Sequence, residues 1–205
     1  FMLFVYTFVF GIVLKANWTS GGEPRSEFAL VLFAGLMVFN FFAECVIQAP
    51  ELVLVNPSYV KKVIFPLEVL PLVSLVSALF HFGVSLVVWL AAHLLLVGLP
   101  PVTMLLFPLV VVPLAFLILG ISWIFASLGV FVRDLGQFIK LFTSALLFLS
   151  PVFYPSTALP ERYRPLFNLN PLTYLIESAR NLLCWGKELD PLEYGIACIF
   201  TLVFA

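Results

Sequence analysis

Long apolar stretches, parted by short polar ones, decide what solvent this chain can fold in. Phe28 to Ile47, Leu67 to Val97 and Met104 to Val132 each run for twenty residues or more with few charges. A helix rises about 1.5 Å per residue, so about 20 apolar residues carry it across the hydrocarbon core of a bilayer. The apolar residues fall in blocks and not in the alternation of half-buried strands or the one-sided stripes of soluble helices. Composition agrees: of 205 residues 63% are apolar and 10% are charged, against about 25% charged in an ordinary soluble domain. So small a polar complement cannot cover a water-facing surface, and lipid is the solvent that fits.

The same ruler divides the chain. Phe1 to Leu14 reads as a truncated span and Tyr194 to Ala205 as the opening of another, so the chain is expected to be a fragment of a longer protein. Gln137 to Tyr154 adds a fourth full span to the three above and is the fifth span in chain order. The expected fold is all-α: a polytopic bundle of about six membrane helices, in spans 1–14, 28–47, 67–97, 104–132, 137–154 and 194–205. Proline at positions 71, 108 and 113 is compatible with this, because neighbouring helices and hydroxyls satisfy the carbonyls that proline frees. Ser74 with Ala78, and Ser122 with Ala126, set small residues four apart, where helix backbones can approach closely.

Several function classes drop out. The formal net charge of −1 offers no basic surface for nucleic acid. Cys45, Cys184 and Cys198 stand singly, without the paired spacings of a zinc or redox site. No G-x-x-x-x-G-K-[ST] loop occurs, so an ATP-driven step is expected to need another subunit. The spans bring together no catalytic set, and no pair of acids at mid-span marks a proton-coupled carrier. Glu44, near the end of the second span, is expected to pack against another helix or join a functional path, and His81 and His93 to pack structurally.

Connections after even-numbered spans share one face, which puts the segment Pro50 to Pro66 beside the turn at Arg133. The other face receives the long segment Pro155 to Glu193, which is too long to be structureless. Asn170 followed by Pro171 is a helix-start signal, Leu172, Leu175, Ile176, Ala179, Leu182 and Leu183 recur at helical spacing, and Gly186 is a stop. With a shorter helix from Pro160 to Phe167, this segment is expected to form a re-entrant hairpin before the last span. Lys and Arg are too evenly shared between the two faces for the positive-inside rule to assign an orientation.

Five patterns, in order along the chain, resemble the permease subunits of type-2 ABC exporters of cell-surface polysaccharide. They are F-N-F-F-A-E at Phe39 to Glu44, N-P-S-Y-V-K-K-V-I-F-P at Asn56 to Pro66 and V-R-D-L-G-Q at Val132 to Gln137. S-P-V-F-Y-P at Ser150 to Pro155 and L-N-P-L-T-Y-L-I-E-S-A-R at Leu169 to Arg180 complete the set. That group carries lipopolysaccharide O-antigen, teichoic acid and capsular polysaccharide.

The resemblance implies a transport subunit that is not itself an enzyme, in the cytoplasmic membrane of a bacterium. It implies a homodimer with two ABC ATPase subunits, which use ATP and Mg; this chain binds no cofactor. The segment 49–66 becomes a cytoplasmic coupling loop, with Pro50, Glu51, Leu52 and Asn56 at the ATPase contact and Lys61 and Lys62 beside it. Arg133 and Asp134 match the family's Arg-Asp turn, where a local ion pair is expected. The extracytoplasmic gate hairpin falls on 155–186, with Pro160, Asn170, Pro171, Tyr174, Glu177 and Arg180. The path for a lipid-linked glycan would run between two copies, lined from the first and fifth spans by Tyr6, Phe10, Phe142, Phe148, Phe153 and Tyr154. Rival readings are a type-2 exporter of drugs or lipids, and a membrane-embedded enzyme acting on lipid-linked sugars.

Overall fold

A computed structural model describes residues 25–56, 66–154 and 170–204. The first expected span, with Tyr6 and Phe10, lies outside them, as do Lys61, Lys62 and Pro160. Among the described residues the regular structure is entirely helical. Three helical runs are long and apolar enough to cross a bilayer, Glu27–Val55, Val69–Leu96 and Val102–Phe131, and Leu135–Leu149 and Pro191–Val203 are shorter apolar helices. The chain is a multi-pass helical membrane bundle.

Helix α1 (Arg25–Gln48) is its central pillar: 78% of its most apolar stretch is buried inside the protein. It runs on, through a 3-10 turn at Ala49–Glu51, into the single turn α2 (Leu52–Val55), so the helical path outlasts the expected end at Ile47. Helix α3 (Val69–Leu96) lies on the outside, with only 17% of its corresponding stretch buried. Its 28 residues reach about 42 Å, well past a hydrocarbon core of about 30 Å.

Trp89 and His93 of α3 find partners within the bundle, which is where partners come from when no water is available. The indole of Trp89 donates to the carbonyl of Leu30 on α1 at 3.0 Å. His93 is buried and its Nδ1 lies 3.1 Å from the carbonyl of Gly98. Phe41 of α1, Phe82 of α3 and Phe107 stack in a row with centroids 5.0 and 5.9 Å apart. Ser74 with Ala78, and Ser122 with Ala126, are buried as their spacing suggests.

Helix α4 (Pro108–Phe131) starts with proline at its first position, where a missing N–H costs nothing. A 3-10 turn at Val102–Leu106 precedes it. Helix α5 (Leu135–Leu149) has 15 residues and so reaches only about 22 Å. The expectation of a helix through Tyr154 is corrected here. Ser150 is extended, at φ −100 and ψ 149, because a residue before proline is pushed out of the helical region, and Pro151 follows it.

Helix α6 (Pro171–Arg180) begins as its sequence dictates: the Asn170 side chain accepts from the amide of Leu172 at 3.0 Å. A wider turn, Asn181–Trp185, continues it, and Gly186 at φ 63 ends it. Asp190 and Pro191 repeat the same grammar for α7 (Pro191–Phe204), with Asp190 Oδ1 accepting from the amide of Leu192 at 2.9 Å.

Candidate functional site

Two places carry the residues singled out in the sequence, one at each end of the bundle. At the first, the 49–55 turns wedge into the elbow between α4 and α5. Pro50 is buried, and its backbone lies so near Gly129 that a Cβ there would fall 2.7 Å from the Pro50 Cα. On the other side of the elbow a Cβ at Gly136 would come within 3.1 Å of Glu51 Oε1. That oxygen accepts from Lys140 Nζ on α5 at 3.1 Å. Asn56 closes α2 by donating from Nδ2 to the Leu52 carbonyl at 2.8 Å.

Of the residues expected at the docking contact, Glu51 is half exposed and also faces the elbow, while Pro50 is buried against it. Besides Glu51 the segment exposes the apolar Leu54 and Val55, with Phe131 of α4 at 83% exposure. Beside it a groove of about 530 Å³ is lined by Val53, Leu67, Glu68, Pro71, Trp123 and Phe131. The Trp123 indole donates to the Glu68 carbonyl at 3.0 Å.

Arg133 and Asp134 are both exposed in the elbow. The local pair between them does not form: among the described residues the ion pairs are Lys140–Glu51 and His81–Glu44. Neighbours in sequence do not face each other at a helix start, and an exposed pair gains only about 0–1 kcal/mol. Asp134 instead stands at the N-cap of α5, where a carboxylate suits the positive end of the helix dipole.

At the opposite end, Arg180 is buried to 0% exposure. Its guanidinium donates to three backbone carbonyls: Nε to Val31 of α1 at 3.1 Å, Nη2 to Val152 at 2.6 Å and Nη1 to Pro151. Pro151 and Val152 sit in the turn after α5, so one side chain ties α6 to two other elements. The notch that receives it exists because residue 35 is glycine, where a Cβ would fall 2.8 Å from Arg180 Cζ. Asn170 Nδ2 donates to Ser150 Oγ at 3.1 Å and Thr103 Oγ1 to the Leu182 carbonyl at 2.8 Å, which fasten the two ends of α6 with its continuation. Tyr174 and Glu177 line a groove of about 500 Å³ against Glu193, Ile196 and Phe200 of α7.

The aromatic residues of the fifth span divide. Phe142 and Phe148 point out of the bundle, and Phe142 stacks on Phe138 at 6.3 Å. Phe153 is 1% exposed and packs on Phe148 at 5.5 Å, so it is a core residue in this conformation and not part of an open lining. Tyr154 donates from its hydroxyl to the Phe148 carbonyl at 2.7 Å. Glu44 and His81 meet at 2.7 Å between α1 and α3. Sequence reasoning missed Gly35, Gly129 and Gly136, and gave Lys140 no role beyond the charge count; the signal was glycine inside or at the end of apolar helices, where it otherwise only weakens them.

Long apolar helices pinned at both ends through backbone notches define a multi-pass membrane component. Residues 1–184 match the family model of the ABC-2 type transporter, and the chain belongs to that family. It is 28% identical over 203 residues to an O-antigen export system permease protein RfbA of Klebsiella pneumoniae, covering 97% of this chain and 76% of that protein. A second such protein of Klebsiella pneumoniae is 27% identical over the same coverage. One of Myxococcus xanthus is 29% identical over 178 residues, 86% of this chain and 66% of that protein.

Proposed function

We propose that the chain is the permease subunit of an ATP-driven exporter that moves a lipid-linked polysaccharide of O-antigen, teichoic acid or capsule type across the cytoplasmic membrane of a bacterium. Two copies form the path and two ATPase subunits supply the work, binding ATP and Mg themselves. The observation that carries this is similarity to O-antigen export permeases along 97% of the chain.

The elbow supports it. A segment meant to receive a push from a soluble motor has to present an exposed surface and yet be seated firmly against the spans. Leu54 and Val55 are the exposed surface, and the close contact of Pro50 with Gly129 is the seat. Closure of the ATPases on ATP displaces the segment, and the spans that hold it shift.

The test is complementation. Full-length permease and its ATPase are expressed in a strain lacking both, and surface polysaccharide is scored by immunoblot. Export is restored by the pair and by neither subunit alone. Restoration by the permease alone, or secretion of a different cargo with no surface glycan, overturns the reading.

A further inference from the structure

Both elements that leave the 49–55 segment end on one side chain. Helix α1 is continuous with the segment, and from Ala49 back to Val31 it forms an uninterrupted rod of roughly 27 Å. Helix α5 packs against the segment at its start, where Gly136 lets Glu51 approach closely. Away from the segment, α1 presents the carbonyl of Val31, about two turns inside its start, and the turn just past α5 presents the carbonyls of Pro151 and Val152; Arg180 bonds all three. A planar guanidinium suits this task, since its fork fixes several acceptors at once where an ammonium acts as a point.

We infer that Arg180, seated in the Gly35 notch, is the positioning residue that makes α6 follow displacement of the 49–55 segment. The bond to Val31 alone would anchor α6 to α1, and the bonds to Pro151 and Val152 alone would anchor it to the turn after α5. Together they compel α6 to register any shear between the two rods. The link rests on the coupled-export reading for what drives it, and on geometry alone for which atoms transmit it.

The experiment uses the full-length permease in complex with its ATPase, reconstituted in lipid vesicles, as wild type, Arg180→Met, Arg180→Lys and Gly35→Ala. Export per ATP hydrolysed should fall by about tenfold in all three variants, the size by which changes along such a link alter coupling. Hydrolysis per complex should stay near wild type, and Arg180→Lys should not rescue, although it keeps the charge. A merely structural arginine would lower complex yield, hydrolysis and export in parallel, and that result overturns the inference. Amide exchange over residues 171–183, with and without trapped ATP, separates the link from the cargo. Wild type should change its exchange on trapping and Arg180→Met should not, whatever is exported; an equal response in both sinks the link while leaving the exporter reading intact.

Discussion

At the scale of single residues, the contacts at both ends of the bundle depend on atoms that are missing. Gly129 admits the backbone of Pro50 and Gly35 admits the guanidinium of Arg180, whereas a Cβ on Gly83 would meet nothing within 4 Å. Gly129→Ala is therefore expected to destabilise the detergent-solubilised protein by about 1–3 kcal/mol, as overpacking does. Gly83→Ala in α3 should be neutral or gain up to about 1 kcal/mol from helix propensity. Thermal unfolding of the two variants side by side checks both, and equal stability would contradict the close approach. None of this was legible in the sequence, because the partner of Gly35 lies in a helix far along the chain and a glycine does not announce what fills its place. Asn170 was legible, since an asparagine before a proline finds its partner, the Leu172 amide, two residues away.

At the scale of elements, hydropathy located the helices well and their ends less well. Val152, Phe153 and Tyr154 are as apolar as α5 itself, so the apolar run continued past the point where Pro151 forbids Ser150 a helical backbone. The cap of α6 gives a direct test: Asn170→Ala should cost about 1 kcal/mol, seen as faster amide exchange in the first turn at Leu172 to Tyr174. The Lys140–Glu51 pair, with both side chains about half exposed, should matter little to stability. Lys140→Met is expected to shift unfolding by less than about 1 kcal/mol, and any loss should shrink as salt is raised. A loss of several kcal/mol, insensitive to salt, would show that the pair is a structural anchor.

At the scale of the whole molecule, composition established a lipid-solvated bundle but not its arrangement. The three long helices are apolar around nearly their whole circumference, and a side chain facing lipid has the same hydropathy as one facing another helix, so nothing in the sequence marked α1 as central or α3 as peripheral. Orientation is open to measurement: with Val55→Cys, at a position 71% exposed, a membrane-impermeant maleimide should react in inside-out vesicles and not in intact cells. The long reach of one side chain also sets an order of events during synthesis. Arg180 lies 149 residues beyond the Val31 carbonyl it binds, which at ordinary elongation speeds separates their emergence by on the order of ten seconds. Throughout that interval α1 has to wait in the bilayer with its notch open, so the nascent protein stays unlocked until α6 arrives.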